Sequence, residues 1–242
     1  MIRTPAPPIP FDAVLARPCG TAQHRIAYGA APEQYGELWL PEGHGPFPLV
    51  VLLHGGCWIN TLPDLSLVRP LADALRARGI AVWNVEYRRI GDTGGGYPGT
   101  FLDTAAGADH VRDLAVRFPL YLSRAAAVGH SAGGHLALWL GARPRIAGTS
   151  PLAARDPVRF RRLFSLGGLG DLKLMHEYAG AVVCGPGTRP RLVDLETRGT
   201  AARTRGRGDE RGPGARAPDP RRSRKASVDA TRSAHRSLRT ST

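Results

Sequence analysis

The sequence predicts an α/β protein, a mostly parallel β-sheet covered by helices. Three observations predict it. Over the front three quarters of the 242 residues, strand-like runs alternate with helical stretches. One run, Phe47 to Leu53 (FPLVVLL), is apolar throughout, as a strand buried on both faces requires. Glycine-rich turns follow two of the strands directly, at 54–58 and 129–134.

Each element has its own signal. Residues 21–29 and 35–41 read as an opening pair of strands joined by the Ala31-Pro32-Glu33-Gln34 turn. After the 47–53 strand, Asp64 starts a helical stretch to Arg78, with Leu67, Leu71, Ala74 and Leu75 on one face and Gly79 ending it. Pro70 inside that stretch argues against one unbroken helix. Ile80 to Tyr87 (IAVWNVEY) is the next strand, and Phe101 to Phe118 a helix stopped by Pro119. Ala125 to Gly129 is a short strand, Ala132 to Leu140 a helix, and Phe160 to Leu166 a further strand.

Three domains of composition follow: an extended segment over 1–20, a core over 21–184, and a tail over 185–242. The net charge of +13 is unevenly placed: residues 1–184 carry a net +4 and residues 185–242 a net +9. The tail is rich in Arg, Gly and Pro, and its large apolar residues are only Leu192, Val193, Leu195, Val228 and Leu238. Too little surface can be buried there to offset chain entropy, so disorder is expected. No apolar run is long enough to span a bilayer, and the first residues lack the apolar core of a secretory signal. Cys19, Cys57 and Cys184 fit neither a disulfide framework nor a zinc cluster, which points to a reducing, cytoplasmic setting.

The sharpest chemical signal is Gly129-His130-Ser131-Ala132-Gly133, a G-x-S-x-G between a strand and a helix. A serine on such a turn projects its hydroxyl above the sheet as a nucleophile. The amide of Ala132, at a positive helix N-terminus, points to where an oxyanion forms. The second signal is His54-Gly55-Gly56-Cys57-Trp58 directly after a buried strand. Its two glycines let the backbone turn its N–H groups toward a shared pocket, the other half of an oxyanion hole. His54 is expected to hold this loop by hydrogen bonds. Gly94-Gly95-Gly96-Tyr97-Pro98-Gly99 matches G-x-G-x-x-G, but Arg88 to Thr93 separate it from the strand end, so it reads as a mobile loop and not a dinucleotide site.

Taken together, HGGCW, WNVEYRR, YPGTFLD and GHSAGGHLALWL resemble the α/β-hydrolase superfamily, within it the kynurenine formamidase and hormone-sensitive-lipase-like esterase branch, over residues 21 to 180. The resemblance implies a doubly wound sheet in the strand order 1-2-4-3-5-6-7-8. It implies hydrolysis of carboxylic esters or N-formyl amides through an acyl-serine intermediate, on a small-molecule substrate, with neither metal nor cofactor. Carried over, Ser131 is the nucleophile, Gly55, Gly56 and Ala132 the oxyanion donors, and Trp58 and Tyr97 residues that line the pocket or pack in the core.

Such an enzyme needs an imidazole to take the serine proton and an acid to orient it, in the chain order Ser, Asp or Glu, His. No residue of the sequence is assigned to either role. The tail holds Asp194, Asp209, Asp219, Asp229 and His235, with no strand to aim them; His110, His130, His135 and His176 come too early. The last two strands of the fold are not recognisable. The whole chain uses 31 Arg against 2 Lys, as GC-rich DNA would encode, and the tail reads as out-of-frame translation of such DNA. A chain so impaired is expected to be poorly soluble and nearly inactive. The rival reading is a non-catalytic protein whose basic tail binds nucleic acid or an anionic surface. The tail lacks aromatic residues for stacking, which counts against it.

Overall fold

The computed structural model describes residue 9 and residues 11–172. Among these residues six strands form one sheet: β1 (His24–Ala27), β2 (Tyr35–Trp39), β3 (Phe47–Leu53), β4 (Ala81–Val85), β5 (Leu120–His130) and β6 (Arg162–Leu166). Their order is β1-β2-β4-β3-β5-β6, that of the first six strands the resemblance implies. β2 runs antiparallel to both β1 and β4, and β4, β3, β5 and β6 run parallel. The expected loss of the last two strands, and every reading of residues 185–242, fall outside the described residues.

The unbroken apolar run of β3 has a direct cause. Leu49, Val51 and Leu53 enter one buried cluster with Trp83, Val85, Ala127 and the helices of that face. Val50 and Leu52 enter a second cluster on the other face, with Trp39, Val82 and Val128. A strand buried on both sides has no position for a polar residue.

Among the described residues there are five α-helices: α1 (Phe11–Leu15), α2 (Arg69–Arg76), α3 (Gly99–Asp109), α4 (Val111–Arg117) and α5 (Ala132–Ala142). The single turn α1 lies in the segment expected to be extended. The stretch from Asp64 splits in two. Asp64 caps a 3₁₀ turn over Leu65–Val68, its carboxylate accepting from the Ser66 amide at 2.8 Å. Pro70 then sits in the first turn of α2, where a missing N–H costs nothing. The expected 101–118 helix breaks at His110 into α3 and α4. There the buried Trp83 indole donates to the Gly107 carbonyl at 2.8 Å, so a side chain enters the helix's hydrogen-bond ladder. Phe118 is extended, as a residue before proline prefers.

Register brings the chemistry-bearing turns together. Leu53 pairs with Val85 on one side and Gly129 on the other, and Gly129 pairs with Ser165. The segments that follow β3, β4 and β5 therefore leave the sheet side by side at its carboxyl edge. Among the described residues no helix is long and apolar enough to cross a membrane.

Candidate active site

The β5–α5 turn is built around a backbone conformation that non-glycine residues rarely adopt. Ser131 has φ +52° and ψ −117° between the last residue of β5 and the first of α5. Its amide donates to the Leu166 carbonyl at 3.0 Å, tying the turn to β6, and its carbonyl accepts from His135 at 3.2 Å to start the helix. The flanking glycines are steric necessities. A Cβ on Gly129 would lie 2.0 Å from the Gly133 carbonyl oxygen, and one on Gly133 would lie 2.2 Å from the Leu53 carbonyl oxygen. Strand, turn and helix cross too closely for a methyl group.

The loop after β3 reaches the serine. A Cβ on Gly55 would stand 3.1 Å from the Ser131 Cβ and 2.8 Å from His130 Nδ1, so this glycine lies against the Ser131 turn. Gly56, Cys57 and Trp58 follow with φ of +107°, +50° and +57°, a short left-handed turn closed by the Ile59 amide on the Gly56 carbonyl at 2.9 Å. Ala132 is fully buried at the first position of α5. Gly55, Ser131 and Ala132 thus share one small region, with Gly56 next in chain.

Trp58 and Tyr97 take part in an aromatic row. Trp58 is 0% exposed and meets the His135 ring edge-on at 5.5 Å. His135 meets Phe101 at 5.8 Å, and Phe101 meets Tyr97 at 6.0 Å. Trp58 is therefore interior, and the half-buried Tyr97 packs on the same cluster. Burial holds the imidazole of His135 neutral, pushing its pKa down to about 4, and shifts that of His130 downward as well. Among the described residues neither His130 Nδ1 nor His135 Nδ1 has a hydrogen-bond partner.

Behind the 54–58 loop lies a polar cluster in which His54 hydrogen-bonds the loop as expected, while its partner Glu86 went unnoticed in the sequence. His54 is fully buried and stacked on Tyr87 at 4.4 Å. Its Nδ1 faces the Gly55 carbonyl at 2.7 Å and its Nε2 faces Glu86 Oε1 at 3.0 Å. The Glu86 carboxylate also accepts from the amides of Leu65 and Tyr87, both at 3.0 Å. Burial raises its pKa, but the His54 ring, the Leu65 amide and Arg89 outweigh that and hold it below the ordinary carboxylate range. Tyr87 donates its hydroxyl to the His54 carbonyl at 2.8 Å. A signal was available in the sequence, because a glutamate closing a buried apolar strand needs partners.

The 94–99 loop is pinned rather than open. Gly95 and Gly99 each lie so close to another backbone carbonyl that a Cβ would overlap it, and the Thr100 hydroxyl bridges the Gly96 amide and the Arg88 carbonyl. Cys19 is free and exposed whereas Cys57 is disulfide-bonded, which corrects the reading of this thiol as reduced. No group of side chains that could hold a metal occurs among the described residues. His176, Cys184, His235 and the tail aspartates lie outside them.

A family model described as BD-FAE matches residues 37–175. Esterase B from Lactobacillus rhamnosis, solved with an inhibitor bound, is similar in structure with a TM-score of 0.59 and 21% identity, over 79% of this chain and 62% of that one. A bacterial heroin esterase is similar at a TM-score of 0.57 and 22% identity, over 76% and 57% of the two chains. An acetyl ester-xyloside bifunctional hydrolase from Caldicellulosiruptor lactoaceticus gives a TM-score of 0.55 at 17% identity, over 75% and 70%. These likenesses carry the α/β-hydrolase fold. The chain spans a little under two thirds of the length of esterase B. No curated protein matches it.

Proposed function

This chain belongs to the BD-FAE family, and from that premise we propose that it is built as a serine hydrolase of carboxylic esters. The observation that carries the reading is Ser131 in a left-handed conformation at the strand-to-helix turn, with Gly55 against it. In this reading the Ser131 hydroxyl oxygen attacks the ester carbonyl. The amides of Gly55 or Gly56 and of Ala132 receive the negative charge on the carbonyl oxygen. The alcohol leaves, and water releases the acid from the acyl-serine. The same steps cleave an N-formyl amide, the second substrate class of this proposal.

The hydroxyl proton needs an acceptor. His130 and His135, the imidazoles next to Ser131 in sequence, come too early in the chain for that role, and burial shifts both toward the weakly basic side. We therefore expect slow chemistry. In a serine protease, loss of the histidine costs on the order of 10⁶ in turnover and leaves roughly 10³–10⁴ over water.

The test is a fluorophosphonate probe with mass mapping, alongside hydrolysis of short-chain aryl esters. The expected result is a label on Ser131, absent from Ser131→Ala, with ester turnover far below ordinary enzyme rates. No label on the wild-type chain overturns the nucleophile assignment. Ordinary turnover abolished by Ser131→Ala keeps the nucleophile and overturns the impairment.

A further inference from the structure

The 54–63 loop carries three consecutive left-handed residues, and two of them, Cys57 and Trp58, have side chains. Such a run persists only where its surroundings hold it. At its far side Trp58 and Asn60 are stapled to Ile90 by backbone bonds of 2.6 and 3.1 Å. At its near side the hold is the Glu86 cluster. Glu86 is 2% exposed and grips His54, which in turn faces the Gly55 carbonyl. Arg89, 3.6 Å from the same carboxylate oxygen, sends its Nη1 to the carbonyls of Leu62 at 2.8 Å, Pro63 at 3.3 Å and Ile59 at 3.4 Å. One buried carboxylate thus holds an imidazole and a guanidinium that each grip the loop. Removing it leaves the guanidinium without its counter-charge and the imidazole without its carboxylate partner.

We propose that Glu86 is the positioning residue of the oxyanion loop, acting through His54 and Arg89 to fix where the Gly55 and Gly56 amides point. It touches no reacting atom, and the assignment rests on the proposed role of those amides. Charge develops on the carbonyl oxygen only in the transition state, so misplaced amides slow the chemical step and leave binding of the reagent nearly unchanged.

The experiment uses the full chain with Glu86→Gln, which keeps the shape and removes the charge, and His54→Gln, which spares the Glu86 bonds to Leu65 and Tyr87. Trp83→Phe is the control: it deletes a buried hydrogen bond of β4 that does not involve the loop. Hydrogen exchange is followed by mass spectrometry over 54–63 and over α4. Both loop variants should exchange at least tenfold faster over 54–63 with α4 unchanged, and Trp83→Phe should not. The maximal rate of Ser131 fluorophosphonylation should fall at least tenfold in Glu86→Gln, with the half-saturating probe concentration held within twofold. Wild-type exchange over 54–63 in either folded variant overturns the proposal, as does an unchanged maximal labelling rate. If Glu86→Gln does not fold, His54→Gln decides by the same two readouts. A wild-type chain that takes no label counts against the nucleophile assignment, and the exchange data then decide alone whether Glu86 holds the loop.

Discussion

Single methyl groups decide whether the turn at Ser131 can form. At Gly133 the obstacle is the Leu53 carbonyl oxygen, 2.2 Å from a built Cβ and part of the core strand β3, so nothing flexible can yield. Gly133→Ala should lower the free energy of urea unfolding by about 1–3 kcal/mol. Gly148→Ala, with no atom within 4 Å of the new carbon, should stay within about 0.5 kcal/mol. Equal losses in the two variants would refute the steric argument. The spacing G-x-S-x-G was legible because strand, turn and helix are contiguous in the chain. The partners of Glu86 were not, since His54 lies 32 positions away and Leu65 lies 21 away. Only the pairing of β3 with β4 brings them together.

Elements follow local rules where caps and prolines speak, and depart from them where packing intervenes. Asp64→Ala should cost about 1 kcal/mol, because the Ser66 amide loses its acceptor. Pro70→Ala should be nearly neutral, since that ring occupies a position with no N–H to lose. Thermal unfolding of the two variants measures both. Strand β6 presents Phe164 and Leu166 at 47% and 42% exposure and pairs only with β5 among the described residues. An apolar strand left uncovered on a sheet edge templates association. Phe164→Thr with Leu166→Lys should raise the soluble fraction of expressed protein; an unchanged fraction would place the association elsewhere. The helix break at His110 was illegible, because it depends on an indole arriving from β4.

Across the whole molecule, buried ionisable groups set how the fold answers to acid. His135 is held at about 4, below its ordinary 6.5. Between those values the unfolded chain binds a proton that the folded chain refuses, so stability falls as pH drops from 6.5 to 4, by up to about 3 kcal/mol. Glu86, held below the ordinary carboxylate range, adds stability that is present above that range and lost as pH falls through its lowered value. Urea midpoints at pH 7.5, 5.5 and 4 should decline in that order. His135→Phe should flatten the part of the decline between 6.5 and 4; a curve of unchanged slope would refute the assignment to this ring. What the sequence determined alone was the succession of elements and the two glycine-bearing turns. Apolar runs and glycine spacing are properties of neighbouring residues, and they act before any long-range contact exists. Tertiary structure alone decided that Gly55 rests on Ser131, that Trp58 turns inward, and that a strand-end glutamate holds the loop. Each of these is a contact across strands whose register is set by packing on both faces of the sheet at once, which no local pattern encodes.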